Sequence, residues 1–177
     1  MVEQTRAVIL CEDRQQEVFA RTFLENCGIT AYRVNITRPG YGSGEQYVRE
    51  NYPEEVRLFR GKFPAQPNTC LVVLIDADVL EVTECLNKLK MALRKSGMSE
   101  RMPKERIAVF IPKRNIETWI HFLMGESVNE EEEFRKNKKE SICKPFVENL
   151  AHNRKNTLPG NAPPSMLIAC QELSRIL

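Results

Sequence analysis

Glu12, Asp76 and Asp78 follow two unbroken apolar runs, residues 7–11 and 71–75. Such runs read as strands buried on both faces of a sheet, so the three carboxylates stand where strands leave it. In an open α/β sheet the carboxyl ends of the strands form the edge where ligands bind. Carboxylates converging there repel one another unless a proton or a divalent cation holds them together. The chemistry this suggests is a Mg2+ or Mn2+ site. Asp76 and Asp78 would supply hard oxygen ligands, and Glu12 a third ligand or a general acid or base. A carboxylate in such a place also serves as a helix N-cap, and Glu12-Asp13 precedes one helical stretch and Asp78 another. The pair Asp76-x-Asp78 exceeds that need, since one helix start takes one cap.

A second group follows the run 107–111, in the sequence Pro112-Lys-Arg-Asn-Ile-Glu-Thr-Trp-Ile. Lys113 and Arg114 suit phosphate oxygens. Glu117, about one turn further at the mouth of the same edge, suits a second cation or merely favours the helix start. Ile116, Trp119, Ile120 and Leu123 share a core-facing stripe. Between Arg38 and Glu45 lie three glycines, Gly40, Gly42 and Gly44. This loop matches neither phosphate-binding glycine signature. It is either a mobile turn or a substrate-touching loop offering the charge of Arg38 and the ring of Tyr41. His121 and His152 lie far apart on helical stretches, so no histidine-based metal or nucleophile site is expected.

The elements that would position these groups alternate. Strands are expected at 7–11, 30–36, 71–75 and 107–111, and helices after each. Val18, Phe19, Thr22, Phe23 and Cys27 recur at helical spacing up to Gly28, a natural stop. Residues 45–60 read as helical, with Pro53 beginning a new turn or breaking it. Residues 79–96 form an amphipathic helix with Val82, Leu86, Leu89 and Leu93 on one face. The alternation predicts an α/β fold: a Rossmann-like, mainly parallel four-stranded sheet with helices on both faces. Residues 1–125 make this core. Residues 126–177, without a strand-like run, read as a helical extension packed on it, in which Ser165 caps the last helix. Residues 130–139, four glutamates and then a basic cluster, read as a solvated helix face with i,i+4 ion pairs or as a docking surface.

The chain has 177 residues, enough for one domain with a substantial core. Its 26 basic and 24 acidic residues give a net charge of +2, so any nucleic-acid surface must be local. Six scattered cysteines without a C-x-x-C pair fit reduced, buried thiols. No apolar stretch approaches the roughly 20 residues of a membrane span, and no signal peptide is evident, so a cytoplasmic protein is expected.

The pattern Glu12 in Val-Ile-Leu-Cys-Glu-Asp and Asp76 with Asp78 in Val-Val-Leu-Ile-Asp-Ala-Asp resembles the TOPRIM domain of topoisomerases, primases and OLD-family phage-defence nucleases. There a glutamate ends the first strand and an Asp-x-Asp the third of a four-strand parallel sheet. The resemblance covers roughly residues 5–125 and includes an acidic residue two before a tryptophan, here Glu117 and Trp119. It departs where the family commonly has a glycine after the glutamate, here Asp13. The resemblance implies a Mg2+- or Mn2+-dependent nuclease on DNA or RNA. Glu12 and Lys113 would be catalytic, Asp76, Asp78 and Glu117 would hold metal, and Arg38 and Arg114 would bind substrate, with a possible ATPase partner subunit. Two other classes stay open. One is a non-catalytic TOPRIM-like partner or regulator; the other is a phosphoacceptor receiver-like domain built on Glu12-Asp13, Asp76 and Lys113.

Overall fold

Residues 4–177 are described by the structure, a computed structural model. Four strands, β1 (Arg6–Cys11), β2 (Thr30–Ile36), β3 (Thr69–Leu74) and β4 (Ile107–Phe110), form one sheet in the order β2-β1-β3-β4. Every pairing is parallel, with Ile9 facing Val34 and Val72 on its two neighbours and Val72 facing Ala108 on β4. β1 and β3 are thus adjacent at the centre, which is why both are unbroken apolar runs.

Alternate residues of these strands feed two cores. Ala7, Ile9, Cys11, Val72, Leu74, Ala108 and Phe110 face α1 (Arg14–Asn26) and α4 (Ile116–Leu123), together with the C-terminal α5 (Lys144–His152) and α6 (Pro164–Leu173). Val8, Leu10, Leu71, Val73, Ile75 and Val109 face α2 (Gly44–Lys62) and α3 (Val82–Lys95). The result is the expected α/β Rossmann-like arrangement, a parallel sheet between two helical layers. Cys143, Val147, Ala151, Met166 and Ala169 of the tail share one apolar cluster with Phe19 and Trp119. All six cysteines are free, and among the described residues no helix is long and apolar enough to cross a membrane.

Four local expectations are corrected. Pro53 neither breaks nor restarts its helix: α2 runs through it, held by Val48, Tyr52, Val56 and Phe59 buried against the sheet. The third helix begins at Val82, not Val79, because Asp78 takes a left-handed conformation (φ 52°) and Glu81 is the N-cap residue. Ser165 is not a cap but lies within the first turn of α6, where it accepts a 2.8 Å hydrogen bond from Trp119 Nε1 and donates to Glu130. Residues 126–139 are not helical. Their charged side chains and carbonyls bond to distant parts of the fold, and Asn129 Oδ1 instead accepts from the N–H groups of Glu131 and Glu132 in a tight turn.

Candidate metal centre

The site is built on the turns that leave β1 and β3. Asp13 caps α1, its Oδ1 accepting from Gln16 N–H at 3.0 Å. Gln16 in turn accepts the N–H of Glu12 through its own Oε1 at 2.9 Å. Capping by Asp13, and the N-cap position of Glu81 on α3, leave Glu12, Asp76 and Asp78 without that structural duty. Glu12 reaches across to the neighbouring turn, where its Oε1 accepts the backbone N–H of Asp76 at 2.6 Å. Its other side is walled by the start of α2: a Cβ on Gly44 would lie 2.7 Å from Glu12 Cβ and 2.8 Å from Oε2. The glycine loop thus bears directly on the glutamate, through its last glycine.

The turn after β3 is distorted at a matching point. Asp78 (φ 52°) and Arg114 (φ 70°) are the two non-glycine residues with left-handed backbones, among those described, and they face each other as an isolated bridge. Asp78 N–H donates to the Arg114 carbonyl at 3.1 Å, and Ala77 N–H to that of Pro112 at 2.9 Å. Such conformations carry strain that surrounding contacts must hold, and they gather at functional sites. Asp78 itself is exposed, whereas Asp76 Oδ1 is buried without a hydrogen-bond partner. Glu117, expected at the mouth of the edge, is instead only 1% exposed in the first turn of α4, and its Oε1 is also unpartnered.

Burial and mutual repulsion dominate the electrostatics. Burial pushes the Glu12 carboxyl up to about 8; the Asp76 amide opposes this, and the charges of Asp78, Asp13 and Glu45 add to it. Asp76 is raised well above the carboxylate range by burial first, then by Glu12 and Glu117. The Gln16 amide nearby counters this in part, although its Nε2 closes no hydrogen bond of good geometry. Asp78, though exposed, is raised by partial loss of solvent around its carboxyl and by the charges of Glu45 and Glu133, with Arg114 and Lys88 opposing. Glu117 is raised by burial, then Asp13, against Lys136. The acidic groups expected from separate strands therefore act on one another across a shared space.

The basic groups behave otherwise. Lys113 Nζ sits 2.9 Å from both Glu81 Oε1 and Glu131 Oε1, which hold it protonated. Arg114 stands beside Asp78 with its Nε buried and unpartnered. Arg38 is exposed on the glycine loop, its carbonyl accepting Tyr41 N–H at 3.1 Å. Tyr41 folds back, with its hydroxyl on Glu50 and its ring edge-on to Tyr47 at 5.1 Å. Sequence reasoning missed Lys136, whose Nζ lies 2.9 Å from Asp13 Oδ2 and whose charge is felt at Glu117 and Asp76. It also missed Gly44 as the wall behind Glu12. Nothing local to residues 126–139 announces the first; the run of glycines was the one signal of the second.

The donor set is one of hard carboxylate oxygens, two of them buried and without partners, which suits Mg2+ or Mn2+ in kind. As they stand, however, no three or more His, Cys, Asp or Glu side chains among the described residues are arranged to hold one ion. Glu12 Oε1 is engaged by an amide and Asp78 is exposed, so binding requires these side chains to reorient. No family model, curated protein or solved structure matches the chain.

Proposed function

We propose that this chain is a TOPRIM-like, metal-dependent phosphodiester hydrolase acting on nucleic acid, DNA or RNA, with Mg2+ or Mn2+ as cofactor. The observation that carries this reading is the contact of Glu12 Oε1 with the Asp76 N–H, which joins the acidic ends of adjacent strands. Asp76, Asp78 and Glu117 would hold the cation. A bound divalent ion would polarise the scissile phosphate and offset the charge that builds on it. Glu12, with a proton affinity near 8, exchanges its proton close to neutral pH. It is suited to take a proton from the attacking water or to give one to the leaving oxygen. Arg114 and Arg38 would meet phosphate oxygens, and Lys113 would join them on release from Glu81 and Glu131.

The near balance of charge supports dependence on a partner, such as an ATPase subunit, that delivers nucleic acid. Six free thiols support a cytoplasmic setting. A second reading, a non-catalytic TOPRIM-like regulator, is favoured by the lack of a ready-made ligand group among the described residues. The receiver-like reading draws no support from Lys113, which is engaged by Glu81 and Glu131.

Calorimetric titration with Mn2+ separates the first two. The hydrolase reading expects binding by the parent that Asp76→Ala abolishes, followed by Mn2+-stimulated cleavage of a DNA or RNA oligonucleotide that Glu12→Ala removes. Equal binding by the parent and Asp76→Ala, or none by either, rejects the site.

A further inference from the structure

Residues 126–139 are fastened along their length to elements around the acidic cluster. Glu126 Oε2 pairs with His121 Nδ1 at 2.8 Å, and Glu130 Oε1 accepts Ser165 N–H at 3.0 Å. Glu131 Oε1 holds Lys113 Nζ at 2.9 Å. The Phe134 carbonyl accepts Asn115 Nδ2 at 3.0 Å, and the Arg135 carbonyl lies 3.0 Å from His121 Nε2. These fastenings deliver Lys136 to the pocket, where its Nζ is 2.9 Å from Asp13 Oδ2 and within the field of Glu117 and Asp76. Two pocket oxygens remain unmatched: Glu117 Oε1, on a residue 1% exposed, and Asp76 Oδ1. An ammonium on a flexible stem 71% exposed to solvent offsets part of the negative charge without filling the coordination these oxygens offer.

We propose that residues 126–139 form a strap that holds Lys136 as the built-in counter-ion of the carboxylate pocket, and that a divalent cation must compete with this ammonium, so that Lys136 sets the cation affinity of the site. The inference rests on the cation-binding reading above and adds the residue that tunes it. A positive charge beside the pocket repels an entering dication, and an exposed pair of this kind yields readily when one arrives. Displacing the ammonium frees Lys136 to swing outwards and loosens the strap at its Asp13 end, while the anchors on Lys113, Asn115 and His121 keep the strap in reach.

The test is calorimetric titration of Mn2+ into the full chain and into Lys136→Gln and Lys138→Gln at low ionic strength. Lys138 belongs to the same strap and makes no ion pair among the described residues, so its substitution removes the same charge without the contact. The expected result is about 3- to 10-fold tighter binding by Lys136→Gln than by the parent, shrinking in 0.5 M salt, with Lys138→Gln close to the parent. In the parent, Mn2+ should also speed hydrogen exchange at the Glu131 and Glu132 amides. Binding by Lys136→Gln equal to the parent, or equal tightening by both variants, overturns the counter-ion role and leaves the cation site standing. No binding by any of the three proteins removes the cation site and this inference with it.

Discussion

The Glu12 carboxylate and the Asp76 backbone amide are joined at 2.6 Å, although 64 residues separate them in the chain. The bond ties the turn after β1 to the turn after β3 and fixes an acidic side chain in a partly buried place beside other carboxylates. One amide does not offset the cost of that position. The carboxyl is therefore protonated to a much higher pH in the fold, about 8, than its ordinary value of 4.5.

The sign of the pH dependence follows from this. The fold holds the proton more tightly than the open chain does, so the stabilisation is full below pH 4.5 and lost as pH rises towards about 8. Asp76, raised in the same direction, adds to the slope. Without divalent cations, the midpoint of thermal unfolding should fall between pH 5 and pH 8.5, by roughly 2–4 °C for each kcal/mol lost. Glu12→Gln keeps an oxygen for the Asp76 amide but has no proton to lose. Its unfolding midpoint should vary less with pH, and at pH 8.5 it should exceed that of the parent. Identical slopes in the two proteins would show that Glu12 is not the buried acid described.

Gly44 offers a test of the wall behind Glu12. Alanine in a helix is ordinarily more stable than glycine by roughly 0.5–1 kcal/mol. At Gly44, however, the added methyl would meet Glu12 Cβ at 2.7 Å, close to the backbone and unable to swing away cheaply. Gly44→Ala should lower stability by about 1–3 kcal/mol in chemical denaturation and weaken Mn2+ binding. Gly61, in the last turns of the same helix, has nothing within 4 Å of the corresponding position. Gly61→Ala should leave stability unchanged or raise it. The opposite signs within one helix are the point to check; two gains would place Gly44 away from Glu12.

What the sequence made legible depended on how local its causes were. β1 and β3 stood out because burial on both faces leaves a strand no polar residue, whereas the order that sets them side by side is seen only in the fold. Glu12 and Asp76-x-Asp78 were visible for the same reason, as the first polar residues beyond such runs. Pro53 misled because its missing N–H is a local defect, outweighed by the burial of Tyr52, Val56 and Phe59. Residues 126–139 misled in the opposite way. Their acidic and basic blocks are spaced for i,i+4 pairs on an exposed helix, yet their partners are Lys113, Asn115, His121 and Asp13, the last 123 residues from Lys136. A contact of that span leaves no periodic trace. The burial of Glu117 was equally hidden, since its position in the first turn of α4 is also a common place for a solvated glutamate.

Asp78 allows stability and function to be moved in opposite directions. Its backbone sits at φ 52°, a conformation that costs an ordinary residue free energy and a glycine almost none. Among the described residues no hydrogen bond uses the side chain: Glu81, not Asp78, is the N-cap residue of α3, and the bridge to Arg114 is made by the Asp78 amide. The carboxyl also adds to the repulsion that raises Glu12. Asp78→Gly should therefore be as stable as the parent or more so, by up to about 1 kcal/mol in denaturant at pH 8, because strain is relieved and a repelling charge is gone. The same substitution should weaken Mn2+ binding at least tenfold in calorimetry if Asp78 is a ligand. A protein that loses stability but keeps its affinity would mark Asp78 as a structural residue of the turn. A gain in stability with a loss of affinity is the signature of a strained residue kept for its carboxylate.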